Sequence, residues 1–476
     1  MDSITEVLNS LTDYEEISGA DSDWIPLVSR RKLSVVHIMG ICASMLAFQI
    51  AYSVEFAIGT PIMRRLGLSQ AESSAMWVSG PLSGFVVQLI VGYYSDILRS
   101  KLGRRRPYIL FGGIGILIGF LAIYHVEFLG QVMNPKNSKK ATKYVLAISL
   151  FFTNIAINVV QGPSRALIGD VVPQVQQVFA NTVGASMIGI AGIVANFVGG
   201  VQFSKRINLG FSNEQIVIIS GSFLIFIGLV VTLIVAKEEP LTEAPARERI
   251  IKEITLAAKN TPSPVYRVAL VYFFSWMACF PFQVSITDFF AQDIYGGSPT
   301  NTYDEKYING VSYGMLVVSI SNVIVVLYSL FQGYTIEKLG MKLTFAISQI
   351  IATLCLFPLY FLSNKYTLMM VLAPLGFAFA VFNSIPFAIV GLTVPQEQMG
   401  VYMGLINSFA VIGQQLSNIL LENVVASFSS KKGPVIASGF VFSIIASIMC
   451  SKMEIPCNDV LHMESILQTS SVDPIK

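Results

Sequence analysis

Charge is scarce in this chain. Of its 476 residues, 13% are Asp, Glu, Lys or Arg, against roughly 25% in a soluble domain. The shortfall extends over nearly the whole length, which excludes a soluble enzyme, a nucleic-acid binder and a disordered chain. Cysteine and histidine are scarce as well. The five cysteines (Cys42, Cys279, Cys355, Cys450, Cys457) show no CxxC spacing and four of them lie in apolar runs. Neither a disulfide framework nor a metal or redox site is expected. The 3 histidines lie far apart and give no zinc signature, so no cofactor is expected. A cleavable leader is not expected either. Residues 1–29 hold seven acids and no Lys or Arg, whereas a leader begins basic and runs at once into an apolar stretch. The segment reads as an acidic cytosolic tail.

What is abundant is apolar sequence, 53% of the chain. A helix needs about 20 apolar residues to cross about 30 Å of hydrocarbon. Twelve stretches qualify: 33–59, 74–97, 107–125, 144–170, 180–202, 214–236, 268–290, 311–335, 343–362, 367–393, 400–427 and 434–452. They are continuously apolar, not alternating, so they predict helices and not a barrel. With both termini cytosolic, 18 of the 31 Lys and Arg fall on the inner side, 12 fall outside, and Arg165 lies within a span. That bias predicts an N-in, C-in protein, with the plasma membrane as the default location. Residues 237–267 are polar and hold Pro240, Pro245, Pro262 and Pro264. They read as a cytosolic linker, either plain or carrying a short amphipathic helix on the membrane surface around 247–253. The expected division is tail 1–32, six spans in 33–236, linker 237–267, six spans in 268–452, and tail 453–476.

The two sets of six spans resemble each other. Gly92-Tyr93-Tyr94-Ser95-Asp96, followed by Arg99 and Gly103-Arg104-Arg105, closes span two. Gly333-Tyr334-Thr335-Ile336-Glu337-Lys338-Leu339-Gly340-Met341-Lys342 closes span eight. Pro163 to Pro173 in span four encloses Ala166-Leu167-Ile168-Gly169, and Pro386 to Pro395 in span ten encloses Ala388-Ile389-Val390-Gly391. Repeats six spans apart predict an all-α membrane protein of two pseudo-symmetric six-helix bundles, with a substrate between them at mid-membrane.

That architecture and the span-two loop resemble the major facilitator superfamily over all twelve spans. Several motifs look more narrowly like its sucrose and alpha-glucoside transporter family, of the glycoside-pentoside-hexuronide cation symporter type. They are Trp77-Val78-Ser79-Gly80-Pro81-Leu82-Ser83-Gly84 with Val87-Gln88, the triple-arginine Gly103-Arg104-Arg105-Arg106-Pro107-Tyr108, and Gln161-Gly162-Pro163-Ser164-Arg165-Ala166-Leu167. Phe280-Pro281-Phe282 with Thr287-Asp288-Phe289, and Ser384-Ile385-Pro386-Phe387-Ala388, complete the set. Glu55 followed by Thr60-Pro61 is more similar to the animal and fungal branch than to the plant one. The resemblance implies alternating-access transport of a disaccharide or glucoside, with the bilayer, the sugar and, in coupled members, protons as partners. Two other readings stay open: a facilitator for another small polar solute, and a sugar sensor that does not transport. No catalytic constellation is present.

Charged residues inside a membrane are costly and face a cavity or a partner. Asn154, Asn158, Gln161 and Arg165 are spaced four, three and four apart, which aligns them along one helix face. They are candidate sugar ligands, with Phe48, Tyr52 and Trp276 as candidate stacking partners. Glu55 and Asp288, near the outer ends of spans one and seven, are candidate proton carriers. Asp170 joins them because the resemblance gives importance to its place after the arginine; five residues from Arg165, it sits roughly 140° around the helix and should not pair with it. The resemblance also implies a cytosolic gate made of Gly92, Asp96, Arg99, Arg104, Arg105 and Arg106. Proton-coupled relatives usually carry aspartate where this chain has Asn154, and the animal branch often has another at Asn158. An amide binds hydroxyls but takes up no proton, so either Glu55 or Asp288 carries one or the protein is a uniporter.

Overall fold

The computed structural model describes residues 25–456 apart from 78, 202, 204–209, 242–247, 299–303, 426–427 and 429–430. Both expected tails therefore lie almost wholly outside the described residues, as does Arg247 of the linker. The described residues are mostly helical and include no strand. In the first half, Val35–Ile41 leads into α1 (Ala43–Arg65), followed by α2 (Ser79–Ile97), α3 (Arg106–Tyr124), α4 (Ser138–Val171), α5 (Gln177–Val201) and α6 (Asn213–Val235). A short helix α7 (Ile250–Lys259) occupies the linker. The second half holds α8 (Ser263–Asp288), α9 (Glu305–Leu356), α10 (Leu375–Thr393), α11 (Met399–Ser417) and α12 (Gly439–Cys450).

Eight helices among the described residues are long and apolar enough to cross a membrane, and a ninth arises if the bent pair Val35–Ile41 and Ala43–Gly59 is one span. The shortfall from twelve has a physical cause. α9 runs through the expected spans eight and nine, joined at Gly340, whose backbone is non-helical (φ 75°) in a region that favours glycine. The other two, α2 and α11, lack the required hydropathy because they carry Ser83, Gln88, Ser95 and Asp96, and Asn407, Ser408, Gln414 and Gln415. These two helices pack against each other across the halves. An added Cβ on Gly92 would lie 2.8 Å from the Gly400 carbonyl carbon, so only hydrogen at both positions lets the backbones meet.

Two hydrophobic cores follow the two halves. One gathers Leu27 to Ala236 with Met315, the other Ala257 to Met453 with Tyr93 and Ala166. Several buried polar residues, among them Glu55, Asn154, Asn158, Arg165, Asn383 and Asn407, line the space between them. The Leu33 N–H donates to Gln176 Oε1 at 2.6 Å, the Tyr93 hydroxyl to the Glu248 carbonyl at 2.8 Å, and Arg267 Nη1 to the Lys452 carbonyl at 2.8 Å. The first described residues, the linker and the last described residues therefore share one end of the bundle, called here the gate end. α7 packs on both α2 and α11 there. It places Ala257 inward and leaves Ile251 78% exposed, as expected of an amphipathic helix at a membrane surface.

Candidate functional site

A central cavity opens between the halves, leaving about 200 Å³ for the centres of water molecules. The face predicted on α4 lines it in full: Asn154, Asn158, Gln161 and Arg165. Glu55 and Tyr52 from α1 and Trp276 from α8 join them. Phe48 does not line the cavity; it is buried, with its ring centre 5.9 Å from the Arg165 guanidinium carbon.

The stripe is tied together by hydrogen bonds within the first half. Gln88 Nε2 donates to Asn158 Oδ1 and Gln161 Oε1, each at 2.7 Å. The Tyr52 hydroxyl reaches the same two oxygens at 3.2 and 3.1 Å. Asn158 Nδ2 donates to Ser83 Oγ at 3.1 Å and to the Asn154 carbonyl at 2.8 Å. Asn154 Nδ2 donates to Glu55 Oε1 at 2.5 Å. Satisfied networks of this kind hold side chains rigid in a low dielectric.

Arg165 reaches across to the second half. Its Nη1 and Nη2 donate to the backbone and side-chain oxygens of Asn383 at 3.4 and 3.3 Å. Its guanidinium carbon lies 3.6 Å from the Phe387 ring centre, a stacked arrangement that suits the planar arginine head. Phe387 belongs to an aromatic wall: Tyr272 stands edge-on to it at 5.6 Å, and Trp276 lies 5.1 Å from Phe382. The second half otherwise supplies amides, namely Gln283, Asn322, Asn407, Gln414, Gln415 and Asn418.

Asp170 and Asp288 lie outside the cavity. Asp288 accepts a hydrogen bond from the Tyr307 hydroxyl. Asp170 stands at the gate end, where its carboxylate accepts from Arg105 Nε at 2.6 Å and Arg104 Nη2 at 2.9 Å; it makes no pair with Arg165. Arg105 is fully buried and also binds Asp96 Oδ1 and Ser95 Oγ, each at 2.5 Å. Asp96 in turn accepts the N–H groups of Gly400 (2.9 Å) and Val401 (3.2 Å). Those are the first free donors of α11, so the carboxylate caps the positive end of a helix from the other half. Glu238, past the end of α6, accepts the N–H groups of Arg105 and Arg106 at 2.9 Å. Asp96, Asp170 and Glu238 balance Arg104, Arg105 and Arg106. Arg99 is exposed and lies outside this cluster. The Gly92–Gly400 crossing and the Asp96 cap join the two halves at this end.

Sequence reasoning missed Gln88, Asn383, Tyr272 and Glu238. One signal was available: Asn407, Gln414 and Asn418 repeat, on α11 and the turn beyond it, the same-face spacing of the α4 stripe. Asn383 carried no such pattern.

A helical bundle with two cores, a polar cavity between them and a charge-latched end defines a membrane transporter. The profile of the Major Facilitator Superfamily matches residues 24–417, and the chain belongs to that family. It is an integral, multi-pass membrane protein. A sucrose transport protein of Arabidopsis thaliana, SUC4, is 25% identical over 477 residues, covering 90% of this chain and 93% of the relative. The general alpha-glucoside permease of Schizosaccharomyces pombe is 28% identical over 292 residues, covering 59% of this chain and 51% of that protein. Among solved structures, the E. coli fucose:proton symporter FucP superposes with a TM-score of 0.61 at 11% identity, covering 88% of this chain and 99% of that one. The proton:xylose symporter XylE gives 0.61 at 14% identity, covering 88% and 96%. At those identities the solved structures bear on the fold.

Proposed function

We propose that this protein carries a disaccharide or glucoside across a membrane by alternating access, with the gate end cytosolic and the plasma membrane as its site. The observation that supports this most is the cavity itself. One wall is a hydrogen-bonding stripe ending in a buried arginine; the facing wall is aromatic. A sugar presents hydroxyls at its edges and C–H surface on its faces, so it suits both walls. The sucrose and alpha-glucoside carriers among its relatives support the same substrate class. Asn154, Asn158, Gln161, Arg165, Tyr52 and Trp276 are its binding residues, with Phe48 supporting Arg165 from beneath. Gly92, Asp96, Arg104, Arg105 and Arg106, together with Asp170, form the gate that must part for release.

Purified protein in liposomes tests this directly. Labelled sucrose and maltose should enter wild-type vesicles saturably and enter Arg165→Ala vesicles at least about tenfold more slowly. Sugar binding without uptake would make the protein a sensor, and neither binding nor uptake would sink the sugar reading.

A further inference from the structure

One buried group is left unexplained by a sugar site alone. Glu55 is 3% exposed and lines the cavity beside the stripe. Its Oε1 accepts from Asn154, while its Oε2 is buried with no hydrogen-bond partner. An ionised carboxylate with one bare oxygen, shut away from water, is among the costliest arrangements a protein can hold. A neutral carboxylic acid is far cheaper, and it turns the bare oxygen into a donor at the cavity wall.

Resting on the sugar reading above, we infer that Glu55 is the site of a transported proton, bound through Oε2 and held in register by Asn154. The titratable groups that share its cavity are Tyr52 on α1, Arg165 on α4 and Tyr272 on α8. α2, α5, α9, α10 and α11 bring only uncharged, non-titrating side chains to the lining. Behind α1, α6 presents Gly221 to Val54. Among the described residues Arg165 is therefore the one cationic group lining the same space, and Asn383 and Phe387 already engage it. Among them Glu55 has no carboxylate neighbour in the lining and no basic partner of its own.

The arrangement couples proton to sugar. Protonated, Oε2–H donates to a sugar hydroxyl oxygen; the bond strengthens both ligands' hold. When the sugar leaves on the other side, the acid loses its acceptor, meets water and releases the proton. Bound sugar should therefore weaken as pH rises in the wild type. A metal cation fits poorly, since sodium would need several oxygens and the structure offers the carboxylate with amides already committed to one another.

The test uses the intact protein in liposomes. With an inward gradient of one pH unit, wild type should accumulate sugar about tenfold for one proton per sugar, and the ratio of driven to undriven uptake should fall to about one in Glu55→Gln. The double variant E55Q/N154D swaps acid and amide across the same hydrogen bond; it should restore the gradient response and stands in where E55Q does not fold. Wild-type uptake indifferent to pH, uptake driven by sodium instead, or a full gradient response in E55Q would each overturn the proposal. A sugar-free measurement separates its failure from that of the sugar reading. Trp77 stacks on Phe56, next to Glu55, at 5.3 Å, so its fluorescence should titrate in wild type and E55Q/N154D but stay flat in E55Q. A titration unchanged in E55Q overturns the proton site whether or not sugar is transported; a lost titration with no sugar uptake keeps the site and removes the substrate.

Discussion

The loop after α2 and its repeat inside α9 share a sequence pattern and almost nothing else. In the first half, Asp96 and Arg105 are wholly buried, and Asp96 caps α11 from across the interface. In the second half, Glu337 and Lys338 are exposed, and Lys338 does no more than lie 5.8 Å from the Tyr334 ring centre. The cavity divides just as unevenly. The first half contributes the acid and the base, Glu55 and Arg165; the second contributes amides and the aromatic wall. The two halves share a sequence pattern, while their polar chemistry differs. A pattern match between repeats therefore transfers topology and does not transfer function.

The sharpest way to break this comparison is at the two loops. Arg105→Ala leaves Asp96 buried without its counter-ion and Asp170 with Arg104 alone, and should cost about 3–5 kcal/mol, read as a large drop in melting temperature in detergent. Lys338→Ala, its counterpart in the repeat, should stay within about 0.5 kcal/mol. Equal effects would show that the second loop also closes a gate.

Next in size is Arg165. Arg165→Ala removes charge-assisted hydrogen bonds and should lower kcat/KM for sugar uptake by about 10–100-fold or more. Asn383→Ala removes one acceptor from the second half and should cost about fivefold, seen mainly in KM. An equal loss for both would make the site symmetric after all.

Glycine gives a third contrast. Gly92→Val drives a side chain into Gly400 and should hold the gate end apart, so that a cysteine placed at Val401 becomes reactive from the cytosolic side. Gly333→Ala meets nothing within 4 Å and should leave uptake unchanged while adding about 0.5–1 kcal/mol of helix stability.

Much of the site was legible before any coordinates. The four-three-four spacing of Asn154, Asn158, Gln161 and Arg165 needed only helical geometry, and the structure places all four on one cavity wall. Asp170 shows the limit. From sequence it grouped with Glu55 as an acid near the path; its partners Arg104 and Arg105 are more than sixty positions away, and no local periodicity connects them. Asn383 was hidden for the same reason, since its partner Arg165 lies 218 residues off. Spans two and eleven were legible as helices, yet their polarity had no meaning until they were seen to face each other.

The solvent, the helices and the repeated six-span pattern were readable from sequence alone. Those follow from local rules: apolar run length against bilayer thickness, the placement of bases, and a motif repeated six spans later. Which acid lines the cavity, which arginine bridges Asp96 and Asp170, and which half supplies the acid and base of the lining emerge only from the packed helices. Each depends on pairing between side chains far apart in the chain, and inside a membrane the cost of an unpaired charge makes that pairing the deciding term.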